Sequence, residues 1–75
     1  MKGVIEMPQS LTLKACRVNV GLSQETAATK LGISKETLSN YERGLSFPDV
    51  PIIKRIESLY GVGYNEINFL VKNYG

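Results

Sequence analysis

The sequence predicts an all-α fold, a compact bundle of five short helices, and three observations point to it. Apolar residues return at three- and four-residue intervals in successive short stretches, the spacing of one helical face. Helix-start residues (Ser10, Ser23, Ser34, Asp49) and glycine stops (Gly21, Gly32, Gly44, Gly61) punctuate those stretches. Finally, 75 residues with 43% hydrophobic content suffice for one core and are too few for two domains.

Residues 1–10 are read as an N-terminal arm, because Gly3 and Pro8 interrupt any helix there, and residues 11–75 as the folded domain. The first helix is expected from Leu11 to Val18, capped by Ser10, with Leu13, Cys16 and Val20 on its inner face. Ser23 caps a second helix from Gln24 to Leu31, and Glu25 suits the positive end of its dipole. Ala27, Ala28 and Leu31 share one stripe. Small residues there let two steeply crossing helices approach closely. Gly32 supplies a left-handed turn, Ile33 plugs the corner, and Ser34 caps a third helix from Lys35 to Arg43.

Leu38 and Tyr41 of that third helix point inward, while Lys35, Glu36, Ser39, Asn40 and Arg43 spread over the opposite arc. Gly44 ends it, and Leu45 to Pro48 form a loop. Asp49 caps a fourth helix reaching Tyr60, with Pro51 tolerated in its first turn and Ile52, Ile53, Ile56, Leu59 and Tyr60 as its apolar set. Gly61, Val62 and Gly63 break it. A fifth helix is expected from Tyr64 to Val71, with Ile67 and Leu70 offered to the core.

Composition excludes several classes of function. One cysteine and no histidine leave no disulfide, no zinc site and no nucleophile–base dyad. Gly61-Val62-Gly63 follows a helix rather than a strand, so it lacks the setting of a nucleotide-binding loop. An enzyme is not expected, nor any cofactor, metal or small-molecule ligand. Lacking a signal peptide or an apolar run near the roughly 20 residues of a membrane span, the protein is expected in the cytoplasm. Nine Lys and Arg against seven Asp and Glu give +2, only a mild lean toward polyanions.

The second and third helices read together as a helix-turn-helix. A helix enters the major groove of DNA only if its inner face is anchored and its outer face is polar, and the preceding helix must lie across the backbone with its N-terminus near a phosphate. Lys35, Glu36, Ser39 and Asn40 are then the candidates for base edges, and Ser23, Gln24, Arg43 and Lys54 for phosphates. Ala28, Gly32, Ile33, Leu38 and Tyr41 set the geometry. Arg17 sits one turn after Leu13 and Glu42 at the edge of the third helix's inner arc, so the two are expected to pair.

With these residues, Leu22-Ser23-Gln24, Ala27-Ala28, Leu31-Gly32-Ile33-Ser34, Leu38, Tyr41-Glu42-Arg43-Gly44, Pro48, Ile56, Leu59-Tyr60-Gly61-Val62 and Glu66-Ile67, the chain resembles the lambda-repressor-like, Cro-type helix-turn-helix regulators. The resemblance covers about Leu13 to Leu70. It implies a bundle that binds operator DNA as a two-fold dimer, with Gln24 at a phosphate, Lys35, Glu36 and Asn40 reading bases, and Arg17 paired with Glu42. The chain departs from the pattern at Ala27, where a larger aliphatic residue is common, and at Pro51. Glu36 is also unusual, since a carboxylate in the groove only accepts, and cytosine N4 is its best donor.

The partner expected is therefore a palindromic operator in double-stranded DNA, bound by a repressor that forms a weak homodimer. Phe69, Leu70 and Val71 are the first choice of dimer interface and the loop Leu45 to Pro48 the second. The rival reading keeps the fold and makes it a protein-interaction module, an antitoxin or antirepressor-like partner of another regulator, and Phe69, Val71 and Tyr74 lend it support.

Overall fold

The computed structural model describes residues 11–69. Four helices account for most of them: α1 (Leu13–Asn19), α2 (Gln24–Leu31), α3 (Lys35–Glu42) and α4 (Val50–Tyr60). A short strand, β1 (Leu11–Thr12), precedes α1, and a 3-10 turn (Tyr64–Glu66) leads into a second strand, β2 (Ile67–Asn68). The two strands run parallel, Leu11 opposite Ile67 and Thr12 opposite Asn68. The start and finish of the described chain are thereby joined beneath the helices.

The helix starts follow the capping chemistry. Ser23, Ser34 and Asp49 each accept a backbone N–H three residues ahead, from Thr26, Thr37 and Ile52. The ends of α1, α2 and α3 share one pattern: at α2, Gly32 N donates to Thr29 O and Ile33 N reaches back to Ala28 O at 3.0 Å. Gly32 stands at φ 76°, which lets the chain turn sharply into α3. The core is Leu13, Cys16, Ala27, Ala28, Leu31, Leu38, Ile56, Tyr60 and Ile67, drawn from all four helices and β2.

Four expectations are corrected. No fifth helix forms between Tyr64 and the last described residue, Phe69: Glu66 Oε1 accepts from Gly63 N at 2.8 Å to close a single 3-10 turn, and Ile67 then turns extended and pairs with Leu11. The β-branched Ile67 fits that half-buried ladder better than a lone helical turn. The first helix starts at Leu13 rather than Leu11, with Thr12 as its cap, its Oγ1 accepting from Ala15 N at 3.0 Å, because Leu11 and Thr12 belong to β1. The expected cap, Ser10, lies outside the described residues, as do the rest of the arm, Leu70, Val71 and Tyr74. Val20, assigned to the inner face of the first helix, is 42% exposed because that helix has already ended at Asn19. Arg17 is buried on this helix instead. The third helix stops one residue early, with Arg43 as its C-cap.

Candidate nucleic-acid interface

Two anchors hold α3 with its polar face outward. Leu38 is fully buried and Tyr41 packs half-buried against the core, where burial pushes its phenol above the ordinary pKa. Ala27 and Ala28 of α2 are buried to within 2% of complete, so the helix backbones meet with little side-chain bulk between them. Ile33 covers the corner, half-buried.

A buried charge network ties α1 to this unit. Arg17 Nε donates to Glu42 Oε2 at 2.7 Å and Arg17 Nη2 to Glu42 Oε1 at 3.2 Å, the fork geometry of a bidentate pair. Hydrogen bonding to Glu42 raises the pKa of the Arg17 guanidinium further. Arg17 Nη1 also donates to Leu22 O at 2.9 Å, just ahead of α2. Gln24 Nε2 completes the network by donating to Glu42 Oε1 at 3.0 Å. Three segments, α1, the start of α2 and the end of α3, are therefore fixed relative to one another at one carboxylate.

Of the base-reading candidates, Lys35 and Glu36 are exposed in the first turn of α3, while Ser39 and Asn40 are half-buried one turn on. Arg43 is exposed, and its Nη2 donates to Asn40 Oδ1 at 3.1 Å, so two of the candidates already touch. Ser23 is exposed and occupied as the cap of α2, its Oγ also bonded to Thr26 Oγ1 at 3.0 Å. Lys54 is the outlier. It lines an open groove of about 520 Å³ with Phe47, Pro48, Asp49, Val50, Ile53, Glu57 and Tyr64, to which neither α2 nor α3 contributes. Phe69 closes against the same region, its ring 4.9 Å from Phe47 and 5.6 Å from Tyr64.

Sequence reading missed two contacts. Arg55 of α4 donates from Nη1 to Leu31 O at 3.1 Å, satisfying a carbonyl at the C-terminus of α2, and would crowd any side chain at Gly32. The Gln24–Glu42 bond is the other. Helical periodicity carries no signal for either, since both join residues at least 18 positions apart. Among the described residues no group of three or more His, Cys, Asp or Glu is placed to hold a metal ion, and no helix is long and apolar enough to cross a membrane.

A helix-turn-helix family model matches residues 13–67, and the chain belongs to that family. It is 42% identical over 50 residues to the HTH-type transcriptional regulator ImmR of Bacillus subtilis, covering 67% of this chain and 39% of that protein. A prophage-derived HTH-type regulator of the same organism, YonR, is 35% identical across 80% of this chain and 53% of its own length. The cryptic phage CTXphi transcriptional repressor RstR of Vibrio cholerae is 31% identical across 77% and 52%. The chain thus spans about half or less of the length of these relatives. No solved structure matches it.

Proposed function

We propose that the chain binds double-stranded DNA sequence-specifically and regulates transcription as a repressor in the cytoplasm, with α3 in the major groove. The observation that carries this reading is α3 itself, sealed inward by Leu38 and Tyr41 and offering Lys35, Glu36, Ser39, Asn40 and Arg43 outward. The names of the three relatives, two regulators and one repressor, support it. Lys35 and Asn40 are assigned to base edges, Ser39 beside them, and Glu36 to a cytosine amine or to the rejection of other bases. Ser23, Gln24 and Arg43 are assigned to phosphates. Lys54, beside the apolar groove, is the weakest of the phosphate candidates. Affinity for mixed-sequence duplex DNA should fall steeply with salt, the log-log slope tracking the number of phosphates neutralised. A flat dependence, or no binding at low salt, would falsify the reading.

A single α3 reaches too few base pairs for tight specific binding, so two copies on half-sites about one helical turn apart are part of the proposal. Phe47 and Phe69, taken above as alternative interfaces, lie in ring contact and form one patch with Tyr64, and that patch is the proposed contact between copies. Sedimentation of wild type and Phe69→Ser at raised concentration tests it. Wild type should shift toward dimer and the variant should not, whereas two unchanged monomers sink the patch.

A further inference from the structure

The end of α3 meets the start of α2 at the carboxylate of Glu42, a residue 7% exposed overall, and that carboxylate accepts three hydrogen bonds. Two come from Arg17, itself tied by a third N–H to Leu22 O, so the carboxylate has little freedom to rotate. The remaining bond comes from Gln24. A carboxamide has one oxygen that only accepts and one nitrogen with two N–H donors, and the two ends are so alike in shape that they normally exchange places. An ionised carboxylate only accepts, so beside Glu42 the nitrogen is selected and the oxygen turned away. One N–H is thereby used and the other is left over. Gln24 is half-buried, so part of the side chain still faces solvent.

We infer that Glu42, held by Arg17, is a positioning residue for DNA: it orients the Gln24 carboxamide so that the second N–H is presented to a backbone phosphate. A phosphate oxygen, like a carboxylate, only accepts, and the orientation that satisfies Glu42 is the one that suits the phosphate. Released from Glu42, the free amide would face solvent with either end, and the phosphate would have to select the nitrogen on binding instead of meeting it already in place. The buried pair then does more than join α1 to α3. This inference rests on the DNA-binding reading above.

The test is a double-mutant cycle on affinity for mixed-sequence duplex DNA at low salt. Gln24→Met keeps the side chain's length and removes both donors. Glu42→Gln keeps an acceptor for Arg17 but shows either end of an amide to Gln24. Losing one charge-assisted hydrogen bond should weaken binding roughly tenfold in Gln24→Met, with the salt slope unchanged, because a neutral carboxamide releases no counterion. Glu42→Gln should weaken wild type severalfold yet add little in the Gln24→Met background, because it acts through Gln24. Independent factors that multiply, or an ineffective Gln24→Met, overturn the inference while leaving DNA binding intact. A wild type that does not bind at all overturns the DNA reading itself.

A measurement on wild type alone guards against poor folding of Glu42→Gln. In NMR spectra, the two side-chain amide protons of Gln24 should be well separated in the free protein. On addition of DNA, one should move strongly and the one bonded to Glu42 little. Two protons that stay put while α3 backbone signals shift would also sink the inference.

Discussion

Tyr60 brings a hydroxyl into the core beside Glu42, Arg17 and Cys16, and that oxygen finds no hydrogen-bond partner among the described residues. Burial pushes its pKa up to about 12, because the phenolate would be stranded away from water. A folded-state pKa above the ordinary value of about 10 means that this stability is present below pH 10 and lost between about pH 10 and 12. Tyr60→Phe removes an unsatisfied group, so thermal melts near neutral pH should show no loss, and a gain of up to about 1 kcal/mol. Alkaline titration should show a shallower fall for the variant than for wild type. Cys16, its thiol also pushed up by burial, contributes in the same direction.

Glu42 behaves oppositely on substitution. Its side chain and that of Arg17 are 4% and 10% exposed, so removing the negative partner leaves a buried guanidinium underpaired. Since Gln retains one acceptor, Glu42→Gln should cost about 2 kcal/mol, which in a domain of this size lowers the melting temperature by on the order of 10 °C. No change beyond error would mean that the pair contributes nothing to stability.

The turn between α2 and α3 offers a sharper comparison among the secondary-structure elements. Gly32 and Gly61 both end helices at positive φ, 76° and 69°. A Cβ at Gly61 meets nothing within 4 Å, whereas one at Gly32 lies 3.2 Å from Arg55 Nη1 and pushes at the bond to Leu31 O. Gly61→Ala should therefore cost only the left-handed penalty of about 1 kcal/mol. Gly32→Ala should cost about 2 kcal/mol, from the same penalty plus a weakened hydrogen bond. Denaturant melts of the two variants check the order. Ala28→Leu is the harsher change at this junction: overpacking between close backbones should destabilise by about 3 kcal/mol and turn α3 away from its seat. These positions were legible beforehand because caps, glycine stops and alanine stripes are local chemistry.

For the molecule as a whole, the parallel β1–β2 pair closes the bundle, and Ile67 is its buried member at 7% exposure. Truncating Ile67→Ala should cost about 2–3 kcal/mol and loosen β1, seen as faster amide exchange in both strands rather than in α4. A helical C-terminal segment would instead confine the change to residues after Tyr64. The aromatic patch of Phe47, Tyr64 and Phe69 also belongs to this level, since it joins the loop before α4 to the segment after it. Phe47 is still 49% exposed there.

The helix-turn-helix from Gln24 to Arg43 was readable without coordinates, and so was α4, because each helix carries its own start signal, stop signal and apolar stripe within a dozen residues. The same local reading misplaced the first helix by two residues and drew a helix at Tyr64. Thr12 and Ile67 take their conformation from strand partners, Asn68 and Leu11, that lie 56 residues away in sequence, and no local pattern records a partner at that distance. The polar network shows the same division. Arg17 and Glu42 were each placed on a plausible helical face, yet the third member, Gln24, came into view only when packing set the start of α2 against the end of α3. Short-range chemistry decides which residues form a helix. Where one side chain touches two others is decided by how the helices cross.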